Sequence, residues 1–497
     1  MDRSVKTARN AVFNVIGFLY PAVLAIVVTP VYLHYIGTDA YGVYALAIAF
    51  VSILGLLEFG AGLALMKYMP EHIARGENDE AVEIMRAGLA FYGLLGMVGA
   101  LASVAVSIFA PSLFSVPPEL VPSARLAFVL GGVAFALTVM MNVFGSVLGS
   151  LQRFDLTTKI SITATTGATA VSVALLIAGA GLTGVMIGVV LRPALGLILY
   201  ARGALARLPE MQLTPKWNGE LLRPLLSLSL YIFIGNISGA VLFQFDKFYL
   251  GAVSGVVLVT FYVVPGALAS RLHAAAGSIT SVALPTASEL FSRGDPRRVR
   301  ILYGRATWLT ALFLASVSTP AIIFAPNILE HWVGFAFKER STDALQILIA
   351  TYFVLGLSAA SYWITMAAGR PRSTAVFNFA TAAINVGAIL LLVPSYDVNG
   401  AAFAYLVSVI TVPGFIWYVE RRVLELKRSP WPGIAWRLAI GVTAQVVACF
   451  ALRRFAEDLA STIGLVLLCI FIGPAVLYGF GFIEADDKAL LGRVFGR

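Results

Sequence analysis

Apolar residues run through this chain in blocks of roughly twenty, broken by short stretches where Gly, Pro, Asn or charged residues gather. The blocks fall at about residues 12–33, 43–66, 87–110, 125–149, 160–180, 182–201, 224–251, 257–284, 301–325, 342–366, 374–394, 400–419, 434–452 and 461–483. A helix needs about 20 predominantly apolar residues to cross the hydrocarbon core of a bilayer. The pattern therefore predicts fourteen transmembrane helices in an all-α polytopic membrane protein. The break near Gly181 is so tight that two blocks merge under a sliding window, which brackets the count at twelve to fourteen. The first block follows Arg3, Lys6 and Arg9, and no small-residue cleavage site closes it. It reads as a retained span rather than a leader.

Composition agrees with the pattern and removes other classes. Of the 497 residues, 59% are hydrophobic and 12% charged, against about 25% charged in soluble domains. A single soluble domain is excluded. The two cysteines, Cys449 and Cys469, both sit inside apolar blocks and read as free thiols rather than as a disulfide staple.

Charge supplies an orientation, because cytoplasmic segments of membrane proteins carry the excess of Lys and Arg. With the N-terminus inside, 27 of the 35 basic residues fall in inside segments. Five lie outside (Arg125, Lys338, Arg340, Arg453, Arg454) and three within spans (Arg192, Lys247, Arg271). The expected topology is N-in, C-in. The net charge of +9 then follows from the positive-inside rule and calls for no nucleic-acid partner, since the basic residues are dispersed over eight loops and ends.

An internal repeat organises the spans. A shift of 218 positions superposes Gly37 on Gly255, Tyr44 on Tyr262, Arg75 on Arg293 and Gly76 on Gly294, and a shift of 216 places Gly184 on Gly400. The near-constant offset predicts two parallel six-helix lobes, residues 1–203 and 223–420, joined by a cytoplasmic linker at 204–222. Residues 421–497, with the last two helices, fall outside the repeat. Two such lobes can rock about a site near the midplane, the geometry of alternating access.

The stretch PVYLHYIGTDAYGVYALAIAFVSILGLLEFGAGLALMKYM, with GSLQRFDL at 149–156, FQFDKFYLG at 243–251, ALPTASELFSRGD at 283–295 and AAGRPRSTAVFNF at 367–379, resembles the Wzx-type flippases. These form the polysaccharide-transport branch of the multidrug/oligosaccharidyl-lipid/polysaccharide (MOP) exporter superfamily. The resemblance covers most of the first twelve helices. It implies a bacterial inner-membrane transporter that flips an undecaprenyl-pyrophosphate-linked oligosaccharide from the cytoplasmic to the periplasmic leaflet, with membrane lipids and a polysaccharide polymerase or export machinery as partners. The superfamily also holds the alternative, a small-molecule or drug cation antiporter, which would favour an aromatic and acidic cavity.

Enzymatic and nucleotide chemistry find little support. A phosphate-cradling G-x-x-x-x-G-K-[ST] loop needs a Gly-Lys dipeptide, and the chain has none. The match Gly179, Gly181, Gly184 to G-x-G-x-x-G lies on a turn between membrane helices, without the strand-to-helix setting of a dinucleotide site. His34, His72, His273 and His331 show no metal-ligand spacing. No cofactor is expected, with H+ or Na+ as the coupling ion. A membrane glycosyltransferase or polymerase would want placed acids and bases, whereas the longest outside connections, 111–124 and 326–341, carry only Glu119, Glu330 and Glu339.

Charge inside the spans marks the candidate site, because a charged group at mid-bilayer is costly and normally faces protein or water. Arg192 and Arg271 lie near the middle of the sixth and eighth spans, in opposite lobes. On the seventh span Ser229, Asn236 and Lys247 fall within about 20° of one another at 3.6 residues per turn. On the eighth, Ala267, Arg271, Ala275 and Ser278 form a narrow face of small and polar groups. In the transport reading Arg192, Arg271, Lys247 and Asn236 bind the substrate diphosphate, for which guanidinium offers a bidentate fork. The competing reading has each base paired or capping carbonyls. Lys247, close to the outer end of its span, can also snorkel. Glu58 and Asp246 are the acids well inside spans and the candidate ion-coupling groups, with a structural ion pair as the alternative. Asp246 is about 100° from the Lys247 stripe and is expected not to pair with it side by side. Asp246 and Lys247 also match the acid-base pair of the resembled family's seventh helix, which implies a role in folding as much as in transport.

Overall fold

The computed structural model describes residues 3–58, 78–151, 153–207, 214–281 and 283–482, and among them helix dominates and no strand occurs. The chain divides into two compact units, Met1–Thr260 and Phe261–Arg497.

In the first unit, α1 (Arg3–Leu54) joins the first two predicted spans through Gly37, whose φ of 74° needs no Cβ to be avoided. The expected loop at 34–42 is thus a reversal at one residue. Pro21 and Pro30 both lie inside α1. Then come α2 (Asn78–Leu113), α3 (Val121–Ser150), α4 (Phe154–Ile177), α5 (Gly181–Leu205) and α6 (Gly219–Ser254). The core of α2, α3 and the end of α5 is apolar and fully packed around Met85, Tyr92, Phe135, Val143 and Val147. Small residues bring the α4–α5 hairpin together: a Cβ at Gly188 would fall on the Ser172 hydroxyl and one at Gly184 would sit 3.0 Å from the Leu175 Cβ. By contrast Gly145 and Gly239 meet nothing within 4 Å.

α7 (Val256–Ser281) begins in the first unit and continues in the second. It is followed by α8 (Ala283–Ser292), α9 (Pro296–Ile323), α10 (Ala325–Val333), α11 (Phe335–Leu357) and α12 (Ala359–Ala367). Next are α13 (Pro371–Ser408), α14 (Thr411–Tyr418), a π-turn at Val419–Val423, α15 (Trp431–Leu452) and α16 (Leu459–Gly479). Like α1, α13 merges two predicted spans across one residue, Asp397 at φ 45°. The last helix pair is tied to α9 by Gln445, whose Nε2 donates to the Ser316 carbonyl at 3.0 Å and the Cys469 carbonyl at 2.9 Å. Cys449 and Cys469 are buried free thiols. Asp458 caps α16, accepting from the Ser461 N–H at 2.7 Å in a capping box.

Among the described residues eleven helices are long and apolar enough to span a membrane. The count falls short of the expected fourteen partly because Tyr20–Leu54 and Pro371–Val423 each run through two predicted blocks. Positive φ recurs at two pairs of positions separated by the sequence offsets. Gly37 and Gly255, 218 apart, have φ 74° and 83°, and Gly181 and Asp397, 216 apart, have φ 54° and 45°.

Candidate functional site

The two arginines of the middle spans are held out of the packed cores. Arg192 lies on α5 and is exposed, while Pro193 beside it is buried. Proline has no N–H to give the carbonyl four residues back, so it loosens the helix ladder at this point. Arg192 has no hydrogen-bond or ion-pair partner among the described residues, and its charge reaches Tyr44 and Tyr200 electrostatically. Tyr44 in turn packs edge-on against Tyr32 and Tyr41, at centroid distances of 6.1 and 5.4 Å. A guanidinium with no carboxylate on it among the described residues is equipped to take an anion.

Arg271 repeats the situation in the second unit. On α7, Ala267, Arg271 and Ser278 are exposed and Ala275 half-buried, while Val264, Leu272, Ala276 and Thr280 turn into the core. The face of small and polar groups is therefore an unpacked surface of its unit. Arg271 also lacks a hydrogen-bond or ion-pair partner among the described residues.

Lys247 and Asp246 differ from expectation. The Lys247 Nζ bends back along α6, donates to the Phe243 carbonyl and to Gln244 Oε1 (3.0 Å), and lies 3.6 Å from Asp246 Oδ1. Asp246 Oδ1 accepts the Lys247 N–H at 2.8 Å. The two do pair side by side, correcting the angular argument: side chains on a helix lean toward its N-terminus and a four-carbon stem spans the 100° offset. Asp246 is only 6% exposed. Of the other candidates, Glu58 closes a 3-10 turn at Gly55–Glu58. The side chains of Glu58, Ser229 and Asn236 lie outside the described residues.

One acid escaped the sequence reading. Glu420, at the π-turn, is 4% exposed and accepts from the Tyr303 hydroxyl at 3.1 Å, with Ser361 Oγ 3.3 Å from the same hydroxyl. Its position beside Arg421 and Arg422 made it look like a loop residue. Helical spacing carried the opposite signal, because buried Val412 and Ile416 step by four onto Glu420. Among the described residues no three His, Cys, Asp or Glu side chains are grouped to hold a metal ion.

Comparison with known proteins adds to this geometry. Residues 7–291 match the model of the family described as polysaccharide biosynthesis protein. A Shigella flexneri protein named "Putative O-antigen transporter" is 20% identical over 408 residues, covering 81% of this chain and 94% of its own. Of solved structures, the lipid II flippase MurJ in an inward closed conformation aligns with TM-score 0.72 at 11% identity, over 96% of this chain and 99% of its own. An inward-facing multidrug resistance MATE family transporter of the MOP superfamily gives TM-score 0.63 at 15% identity, over 80% and 96%. At such identities the structural likeness speaks for the fold. With more than half of the chain matched by the family model, this multi-pass membrane protein belongs to the polysaccharide biosynthesis protein family.

Proposed function

We propose that the protein flips an undecaprenyl-pyrophosphate-linked oligosaccharide from the cytoplasmic to the periplasmic leaflet of a bacterial inner membrane, by alternating access and with its N- and C-termini inside. The observation that carries this reading is the pair of exposed arginines without partners among the described residues, Arg192 and Arg271, one in each compact unit and each on a long apolar helix. A structural arginine in such a helix would hold a carboxylate or a row of carbonyls. Here the planar fork is left for a ligand, and a diphosphate is the chemistry it fits. Family membership and the relative named for O-antigen transport favour a glycan-bearing cargo over a drug cation. Energy comes from an H+ or Na+ gradient, with Glu58 and Asp246 as the coupling acids. The flipped lipid is handed to a polysaccharide polymerase or export machinery.

The test is complementation of a flippase-deficient strain with protein levels quantified in parallel. Alanine at Arg192 or Arg271 should abolish transport at near wild-type abundance, and lysine should rescue only partly, since it restores charge without the fork. Well-expressed, fully active alanine variants at both positions would sink the proposal.

A further inference from the structure

A third embedded arginine belongs to neither repeat. Arg437 stands in the second turn of α15, and its guanidinium lies 6.0 Å from the Trp308 ring of α9, 6.0 Å from Trp436 and 5.9 Å from Phe482, just beyond α16. Trp436 and Phe482 close the cage edge-on at 4.9 Å. Rings that hold a guanidinium by its faces leave its N–H edges free to donate. The Arg437 Nε is buried and has no acceptor, and no ion pair to Arg437 exists among the described residues. The indole N–H of Trp431, which packs on the same apolar cluster as Trp308 and Phe482, is likewise buried without an acceptor. Two buried donor groups at one end of the last helix pair, with no carboxylate to meet them among the described residues, describe a site built for an anion.

We infer that this site binds the phosphate of an anionic phospholipid. The depth fits a headgroup: Arg437 is within two turns of the start of a spanning helix, and Trp436 and Phe480 are 49% and 66% exposed, as aromatic side chains are at the membrane interface. The charge fits as well. Exposed Lys427 and Arg428 flank the helix start on a loop that Arg421 fastens by donating to the Leu426 and Lys427 carbonyls at 2.8 and 3.0 Å. Basic pockets between helices at this level recognise lipid phosphates. The site uses neither Arg192 nor Arg271, so it stands or falls apart from the transport reading.

The experiment titrates delipidated full-length protein in detergent with phosphatidylglycerol or phosphatidylcholine and reads bound lipid by native mass spectrometry. Wild type should retain phosphatidylglycerol preferentially, and Arg437→Gln should bind it about fivefold more weakly, with phosphatidylcholine binding unchanged. Arg437→Lys keeps the charge and should fall between the two, which keeps the test alive if the glutamine variant folds poorly. Equal phosphatidylglycerol binding by wild type and both variants overturns the inference. So does displacement of the lipid by inorganic phosphate at equal concentration, which would mark a free-phosphate site. Phosphatidylglycerol uptake only after Glu484, Asp486 and Asp487 are changed to their amides would also overturn it, by making the chain's own acidic end the occupant.

Discussion

Gly42 is where a single methyl group should do most damage. It lies on α1 five residues past the turn at Gly37, and a Cβ built there falls on the Val256 carbonyl oxygen, 2.7 Å from the Val256 carbon and 3.1 Å from Thr260 Oγ1. Ordinary carbon–carbon contact is about 3.5–4.0 Å, so the backbones would have to part by roughly an ångström. The obstacle is no flexible side-chain tip, because Val256 opens α7 and its carbonyl belongs to the first helical turn. The same contact holds the Thr260 hydroxyl on the Thr38 carbonyl at 2.6 Å, and parting the chains breaks that bond too. Overpacking costs about 1–3 kcal/mol and the lost hydrogen bond about 1 kcal/mol. Alanine's better helix propensity returns about 1 kcal/mol. Gly42→Ala should therefore destabilise by about 1–3 kcal/mol net. Gly239→Ala, with nothing within 4 Å of the added Cβ, collects the propensity gain alone. The assay is the temperature at which half the protein stays monodisperse on size exclusion after heating in detergent. A midpoint for Gly42→Ala at or above wild type would refute the packing argument.

Other outcomes follow from the same contacts. Tyr303→Phe removes the one hydroxyl donated to buried Glu420 among the described residues and should cost about 1.5–3 kcal/mol, read as the same midpoint, while Ser361→Ala should cost less because it bonds Tyr303 and not the acid. The hydrogen bonds from Ser461 hold the Asp458 carboxyl below the ordinary carboxylate range. A lowered folded value means the cap's contribution is present above the unfolded value of about 3.9 and is lost as pH falls through the folded one. Asp458→Asn, which caps without titrating, should flatten that part of the acid stability profile. Arg297→Cys, an exposed site on the basic side, should react with an impermeant thiol reagent only after permeabilisation, against a silent background of buried Cys449 and Cys469; labelling of intact cells would reverse the orientation. Asp246→Asn and Glu58→Gln should leave folded protein whose transport no longer follows an imposed H+ or Na+ gradient, and unchanged gradient dependence in both would remove these acids from coupling.

Much of the fold was legible because its determinants are local. Every predicted block is helical over most of its described length, since twenty apolar residues in lipid have little choice but to satisfy their backbone internally. The turns were less legible. A reversal at one residue leaves no polar run, so α1 and α13 each read as two blocks with a loop that the chain does not spend. Positions at the repeat offsets, however, share more than matched letters. Gly181 aligns with Asp397, an identity the sequence comparison could not score, and both take positive φ. Thr38 and Gly42 stand 218 positions from Val256 and Thr260, and Gly42 packs on Val256 while Thr260 bonds to Thr38. Equivalent turns thus meet through equivalent positions, with the hydroxyl present on one copy and the missing side chain on the other.

The site was legible only as far as charge location goes, and Arg192, Lys247, Arg271 and Arg437 show why. All four sit in apolar helices, and the sequence set Arg437 apart with the inside segments only because it lies near a helix start. What separates them is the partner. Lys247 meets a carbonyl, an amide and a carboxylate on its own helix. Arg437 meets three aromatic rings, and Arg192 and Arg271 meet no such group among the described residues. Partners reached along one helix depend on side-chain length and lean, which angular spacing ignores. Partners on other helices depend on which faces the packing hides. The small residues beside Arg271 were the informative exception. A helix face built from Ala267, Ala275 and Ser278 offers neither a carboxylate for the guanidinium nor bulk to bury it, so the lack of a protein partner was written into its neighbours. The same reasoning places the sharpest demand on Arg271: if it binds cargo, enlarging Ala275 to leucine on that face should impair transport without unfolding the unit, because Ala275 is half-buried and Ala267, Arg271 and Ser278 around it are exposed.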